Sequence, residues 1–171
     1  MADSFGAKGA GAWDYALRIY AQEGVAPACL LLQDCVGVDV TVLLHAMYHA
    51  ANSSAVGGNE VAAMDAAVSA WRREVVEPLR AVRRALKHGV GQARPDSAQD
   101  LRKAVQSTEL MAERIAFALL ADVGGLHAGV SQASEIDTVS LVAHWYSQAN
   151  GTGANLDDPA VLDALRRLNG S

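Results

Sequence analysis

The chain has 171 residues, 51% of them apolar and 19% charged, with two cysteines and a net charge of −5. A domain of that length buries roughly 70% of its unfolded surface, so it needs no disulfide framework. The acidic balance argues against general nucleic-acid binding, and no run reaches the ~18 consecutive apolar residues of a membrane span. Ala, Leu and Val carry the apolar count, aromatics make up 5% and there are four Pro. Ala loses no side-chain entropy in a helix and Leu loses little, so the expectation is an all-α, single-domain helical bundle. Cys29 and Cys35 lack tight CxxC spacing and read as free thiols used as small hydrophobes.

Residues 1–11 hold three Gly among small residues and no apolar signal core, so they read as a flexible lead-in to a domain over 12–169 in a cytoplasmic protein. A first helix is expected from Ala12 to Gln22, with Trp13, Ala16, Leu17 and Tyr20 at i, i+3, i+4, i+7. Gly24 ends it. A second runs from about Pro27 to Asp34 and breaks at Gly37. Asp39 can cap a third, in which Val40, Leu43, Leu44, Met47 and Tyr48 share helical spacing. A loop over 52–58 follows.

Asn59 can cap a fourth helix whose seam is Val61, Met64, Val68, Trp71 and Val75. Pro78 interrupts it and predicts a kink or restart, since an interior proline costs about 3 kcal/mol. The same face continues through Leu79, Val82 and Leu86. Ser97 can cap a long fifth helix to about Asp122, with Leu101, Val105, Leu110, Ile115, Leu119 and Leu120 as its buried stripe. Residues 127–134 read as loop, and a sixth helix as roughly Glu135–Ala149. Asp158-Pro159 looks like N-cap and N1 of a last helix ending at Asn169-Gly170. The total is about six to seven helices and no strand.

Two stretches resemble a proteobacterial family of small, uncharacterised helical proteins that carries a domain-of-unknown-function label. One is Trp13-Asp14-Tyr15-Ala16-Leu17 with Tyr20, leading through Ala28-Cys29-Leu30-x-Leu32-Gln33-Asp34 to Gly37-x-Asp39-Val40. The other is Trp71-Arg72-Arg73-Glu74-Val75-Val76-Glu77-Pro78-Leu79-Arg80, continuing to Arg83-Arg84-Ala85-Leu86-Lys87. The resemblance covers about residues 13–87 and implies a helical fold in a bacterial protein, but no reaction. The family tends to Asn where this chain has Thr41, and to apolar or aromatic residues at His45 and His49. A polar site built on those histidines is therefore no part of what the resemblance implies.

The charge is uneven. Trp71 to His88 carries six basic residues against two acidic ones, a local +4, leaving −9 elsewhere. On an ideal helix Arg73, Arg80, Arg84 and Lys87 fall within about 60° of one another, with Arg83 nearby and Trp71 opposite. Guanidinium forks bind carboxylate and phosphate bidentately, so this face suits an acidic protein or an anionic small molecule. The alternative is a solvated face pairing with Glu74 and Glu77. Asp34 at a helix C-terminus opposes the dipole and calls for a cation such as Arg80 or Arg83. A pocket beneath Pro78, lined by Tyr15, Tyr20, Gln33, Asp34, Trp71 and Arg80, is the second possibility and would suit a small-molecule binder or an enzyme.

His45 and His49, at i and i+4, share a face as zinc ligands do, with Cys29, Cys35, Glu109, Glu113 and His144 as further ligand types. HxxxH without the Glu of HExxH is a weak signal, so no metal or cofactor is expected. Glu109 and Glu113 also share a face. Without Glu-x-x-His motifs on paired helices they read as salt-bridge partners for arginines. No GxSxG, P-loop or Rossmann fingerprint occurs. The resulting expectation is a binding or interaction protein without a membrane span, leaning away from catalysis, with homodimerisation through Ala-rich faces plausible.

Overall fold

The computed structural model describes residues 9–52, 56–91, 94, 96–123, 137–151 and 154–170. The helices are α1 (Ala10–Tyr20), α2 (Val25–Val36), α3 (Val40–Ala51), α4 (Gly58–Trp71), a π-helical segment (Arg72–Val76), α5 (Glu77–His88), α6 (Gln99–Leu120), α7 (Thr138–Ala149) and α8 (Pro159–Asn169). α4, the π segment and α5 follow one another without a break, giving seven helical rods and no strand among the described residues. No helix there is long and apolar enough to cross a membrane. The expected lead-in lies outside the described residues at 1–8, and α1 already includes Ala10 and Gly11. The loop expected at 127–134 also lies outside them.

α3 is the hub. Every residue from Thr41 to Met47 is buried, as expected of a helix apolar all round. α1, α2, α4, α6 and α7 all pack on it. Asp39 starts it: Oδ1 accepts from the backbone N–H of Thr41 at 2.7 Å and of Val42 at 3.1 Å, satisfying two otherwise orphaned donors. α2 packs on α8, and α8 on α7. Asp158 caps α8 by accepting from Ala160 N–H at 2.8 Å.

α2 stops at Gly37, whose φ of 80° is left-handed and costs glycine nothing. A Cβ there would come within 2.5 Å of Asn150 Nδ2. That amide donates to the Gly37 carbonyl at 3.3 Å, so the turn is clamped to the end of α7.

Several expectations are corrected. α4 begins at Gly58 rather than after Asn59, and Gly57 N–H donates to Glu60 Oε2 at 2.9 Å. α6 begins at Gln99, and no side chain caps it. By contrast, the restart expected near Pro78 is present: the π segment gives way to α5 at Glu77, and Pro78 sits in the first turn of α5, where its missing N–H is tolerated. The buried stripe of α6 is also different: Glu109, Ala112, Ala116, Phe117 and Leu120 are buried, while Leu101, Leu110 and Leu119 are exposed. α5 has no buried residue, and among the described helices its backbone packs on α6 alone beyond its own π segment.

Candidate functional site

The π segment determines which arginines act together. A π turn adds about one residue to the helix, so positions beyond it lag by about 100°. Arg80 then stands as if seven residues beyond Arg72, within about 20° of the same line. Arg73 is rotated away from that line. It is exposed and, among the described residues, pairs only with its neighbour Glu74, a contact worth little in water. Arg72 and Arg80 therefore face the protein, with exposed Arg84 continuing their line, in place of the expected row led by Arg73.

Two clefts open on either side of this row. The first, about 650 Å³, is lined by Gln33, Asp34, Asp39, Asp65, Arg72, Glu77, Arg80, Arg84, Trp145, Tyr146 and Asn150 among others. Arg72 Nη1 donates to Asp39 Oδ2 at 2.6 Å and Asp65 Oδ1 at 2.8 Å. Tyr146 Oη donates to the same Asp65 oxygen at 2.6 Å. Burial works against the Arg72 charge, but the hydrogen bonds and negative charges of Asp65 and Asp39 prevail and raise its pKa. Burial, together with Asp39 and Asp65, raises the Tyr146 phenol, which stays protonated. These four groups satisfy one another and tie α3, α4, the π segment and α7 together.

The second cleft, about 620 Å³, lies between α1, α2, α3, α5 and α6. Its floor is Trp13, Ala16, Val40, Thr41, Leu44 and Phe117, and Leu17, Tyr20, Leu30 and Leu110 border it. Those four bordering side chains are 46%, 37%, 46% and 48% exposed. Arg83 and Arg84 of α5 and Lys103 of α6 supply cations.

Gln33, Arg80 and Arg84 line both clefts. Arg80 donates to Gln33 Oε1 at 3.3 Å and to Glu113 Oε1 at 2.7 Å, and lies 3.4 Å from Glu109. Arg83 makes a two-pronged contact with Glu109, Nε to Oε2 and Nη2 to Oε1 at 3.1 Å. Glu109 and Glu113 are thus the salt-bridge partners their spacing suggested. Burial raises the Glu113 pKa, with Arg80 opposing it. Burial also raises Tyr20, assisted by Cys29 and Glu113.

The remaining candidates lie elsewhere. Trp71 Nε1 donates to the Ala112 carbonyl at 2.9 Å and docks α4 on α6. Tyr15 packs against Tyr48, with the Arg18 guanidinium over its ring. Lys87 is exposed and borders neither cleft. Asp34 is exposed at the mouth of the first cleft; Arg80 meets its neighbour Gln33 instead. His45 is buried, with Nε2 3.1 Å from His49 Nε2 and Nδ1 without a partner. Burial, and then His49, lowers the His45 pKa to about 3. Among the described residues no three His, Cys, Asp or Glu side chains gather as metal ligands. Burial pushes the Cys29 thiol up to about 12.

Sequence periodicity missed Arg72, Asp65 and Tyr146, whose contacts with Asp39 and with one another cross 7 to 81 residues. It also missed Lys103, and it assigned Leu110 to a buried stripe.

The fold and these clefts define an all-helical protein with an arginine row between a polar cleft and an apolar one. The chain belongs to the family described as protein of unknown function DUF2390, which matches residues 11–120. No curated protein and no solved structure matches it. Every residue lining the apolar cleft falls within the matched span, whereas the polar cleft takes Trp145, Tyr146, Ala149 and Asn150 from beyond it.

Proposed function

We propose that this is a binding protein whose apolar cleft takes an anionic ligand at the end where α5 and α6 present their cations. The observation that carries the proposal is the set of cations left over at its rim. Arg80 and Arg83 are engaged by Glu109 and Glu113. Arg84 has no such partner among the described residues, and Lys103 has only an exposed Asp100 at 3.8 Å. A guanidinium and an ammonium beside an apolar floor favour an anion with an apolar body. That the family match contains this cleft whole, and the polar one only in part, supports the same choice. The setting proposed is the cytoplasm of a bacterium. An acidic segment of a partner protein would use the same cations.

The test is fluorescence titration with 1-anilinonaphthalene-8-sulfonate, a compact aromatic anion. Binding is expected to weaken with salt. It should fall about tenfold or more in the double variant Arg84→Glu/Lys103→Glu, whose side chains are exposed and whose fold should survive. Arg80 is not a suitable position, because reversing it would leave Glu113 and Glu109 facing a third carboxylate. Equal binding by wild type and double variant, at all salt concentrations, would overturn the proposal.

A further inference from the structure

The apolar cleft is polarised along its length, and this narrows the class of ligand. The inference rests on the anion-binding proposal above. α6 forms one long wall, with Lys103, Gln106, Ser107, Leu110, Glu113 and Phe117 facing the cleft in order. At 1.5 Å per residue, Lys103 and Phe117 stand about 21 Å apart along the helix axis. Lys103 marks the cationic end. Phe117 marks the apolar end, where its ring meets Trp13 edge-on at 5.5 Å. Between them Leu17, Tyr20, Leu30 and Leu110 line the cleft but remain well exposed. Glu109 and Glu113 in the middle are neutralised by Arg83 and Arg80.

A compact anion such as phosphate would use only the cationic end and leave the apolar border in water. A neutral apolar molecule would leave Arg84 and Lys103 unused. The geometry points to a free, single-chain fatty carboxylate, its head between Arg84 and Lys103 and its chain running along α6 towards Trp13 and Phe117. The chain would cover the four exposed apolar side chains, and the head would gain a charge-assisted pair with the rim. A cleft of about 620 Å³ lies within the usual range for small-molecule sites.

The experiment is isothermal titration of the full chain with saturated carboxylates of increasing length, each kept below its micelle concentration. Affinity is expected to rise about twofold to fourfold per methylene while the chain is being buried. It should then level off once the chain exceeds the cleft. The alcohol of equal length should bind about tenfold or more weakly, and so should the carboxylate to Arg84→Glu/Lys103→Glu. Leu17→Asp, at an exposed position, should flatten the dependence on length. Affinity independent of chain length, or an alcohol that binds as tightly as the carboxylate, would overturn the inference. So would binding to phosphatidylglycerol vesicles without binding to monomeric carboxylate, because the occupant would then be a membrane. If the naphthalene sulfonate still binds through Arg84 and Lys103 while the length series is flat, only the fatty-chain class fails. If neither probe responds to those two cations, the anion-binding proposal fails with it.

Discussion

His45 shows how a single side chain sets a pH limit. It is held neutral in the fold with a pKa lowered to about 3, by burial and then by His49, whereas the unfolded chain titrates near 6.5. Between those values the unfolded state binds the extra proton. Stability is therefore full above about pH 6.5 and declines as the pH falls, by up to about 1.4 kcal/mol per pH unit for this group. His49, also lowered by burial, steepens the same slope. His45→Leu removes the titrating group together with its unpartnered Nδ1. The variant should lose much less stability than wild type between pH 7 and pH 5, measured by urea denaturation at each pH; an unchanged slope would rule out this origin. The pair at zinc-like spacing is thus a buried imidazole beside a half-buried one.

The decisive feature at the scale of elements is the π segment. Deleting Glu74, whose exposed side chain pairs with exposed Arg73, should convert Arg72–Val76 to regular α-helix. With the extra residue gone, Arg80 follows Arg72 by seven α-helical positions, the phase that the π turn already gives it, so it keeps its contacts with Glu113 and Gln33. The expected result is a folded, helical protein in which positions 80 and 113 stay coupled in a double-mutant cycle. Coupling lost in the deletion would mean that the π turn does not set the phase of the row. Chain order alone could not foresee this. Pro78 is a visible breaker, but a π turn leaves no signature among Arg-Arg-Glu-Val-Val. The α6 stripe failed for a related reason. Counting leucines favours Leu101, Leu110 and Leu119, yet Glu109 and Glu113 must meet Arg83 and Arg80, and this turns Ala112, Ala116 and Phe117 inward. Local signals fared better: Asp39, Gly37 and Asp158-Pro159 act through neighbours two to four residues away, and each begins or ends its helix as expected.

Across the whole molecule, the all-helical class was legible because composition and 3.6-residue periodicity survive any arrangement of the rods. The apolar cleft was legible only in part: of the residues expected to line a pocket beneath Pro78, Tyr20, Gln33 and Arg80 border it, whereas Leu110, placed by its periodicity in a buried stripe, is left at the surface, as is Leu17. Local pattern and final position disagree there, and such disagreements concentrate where a surface is kept for binding. The net +4 of Trp71–His88 was also read too simply. Arg72, Arg80 and Arg83 neutralise Asp39 at the start of α3, Asp65 of α4 and the carboxylates of α6, so at the border of the apolar cleft the cations left without a close carboxylate are Arg84 and Lys103.

The lack of any buried residue in α5 has a consequence for opening reactions. Few apolar contacts mean a low local unfolding free energy, so α5 amides should exchange with deuterium by local fluctuation. Those of α3, buried on every side from Thr41 to Met47, should exchange only through global unfolding. The contrast is readable by mass spectrometry on peptic fragments, and comparable protection in both helices would contradict it. α5 carries Arg80, Arg83 and Arg84, so the cationic wall of the cleft is also its least stable wall. A molecule that bridges α5 to α1 and α6 would slow exchange in α5 first.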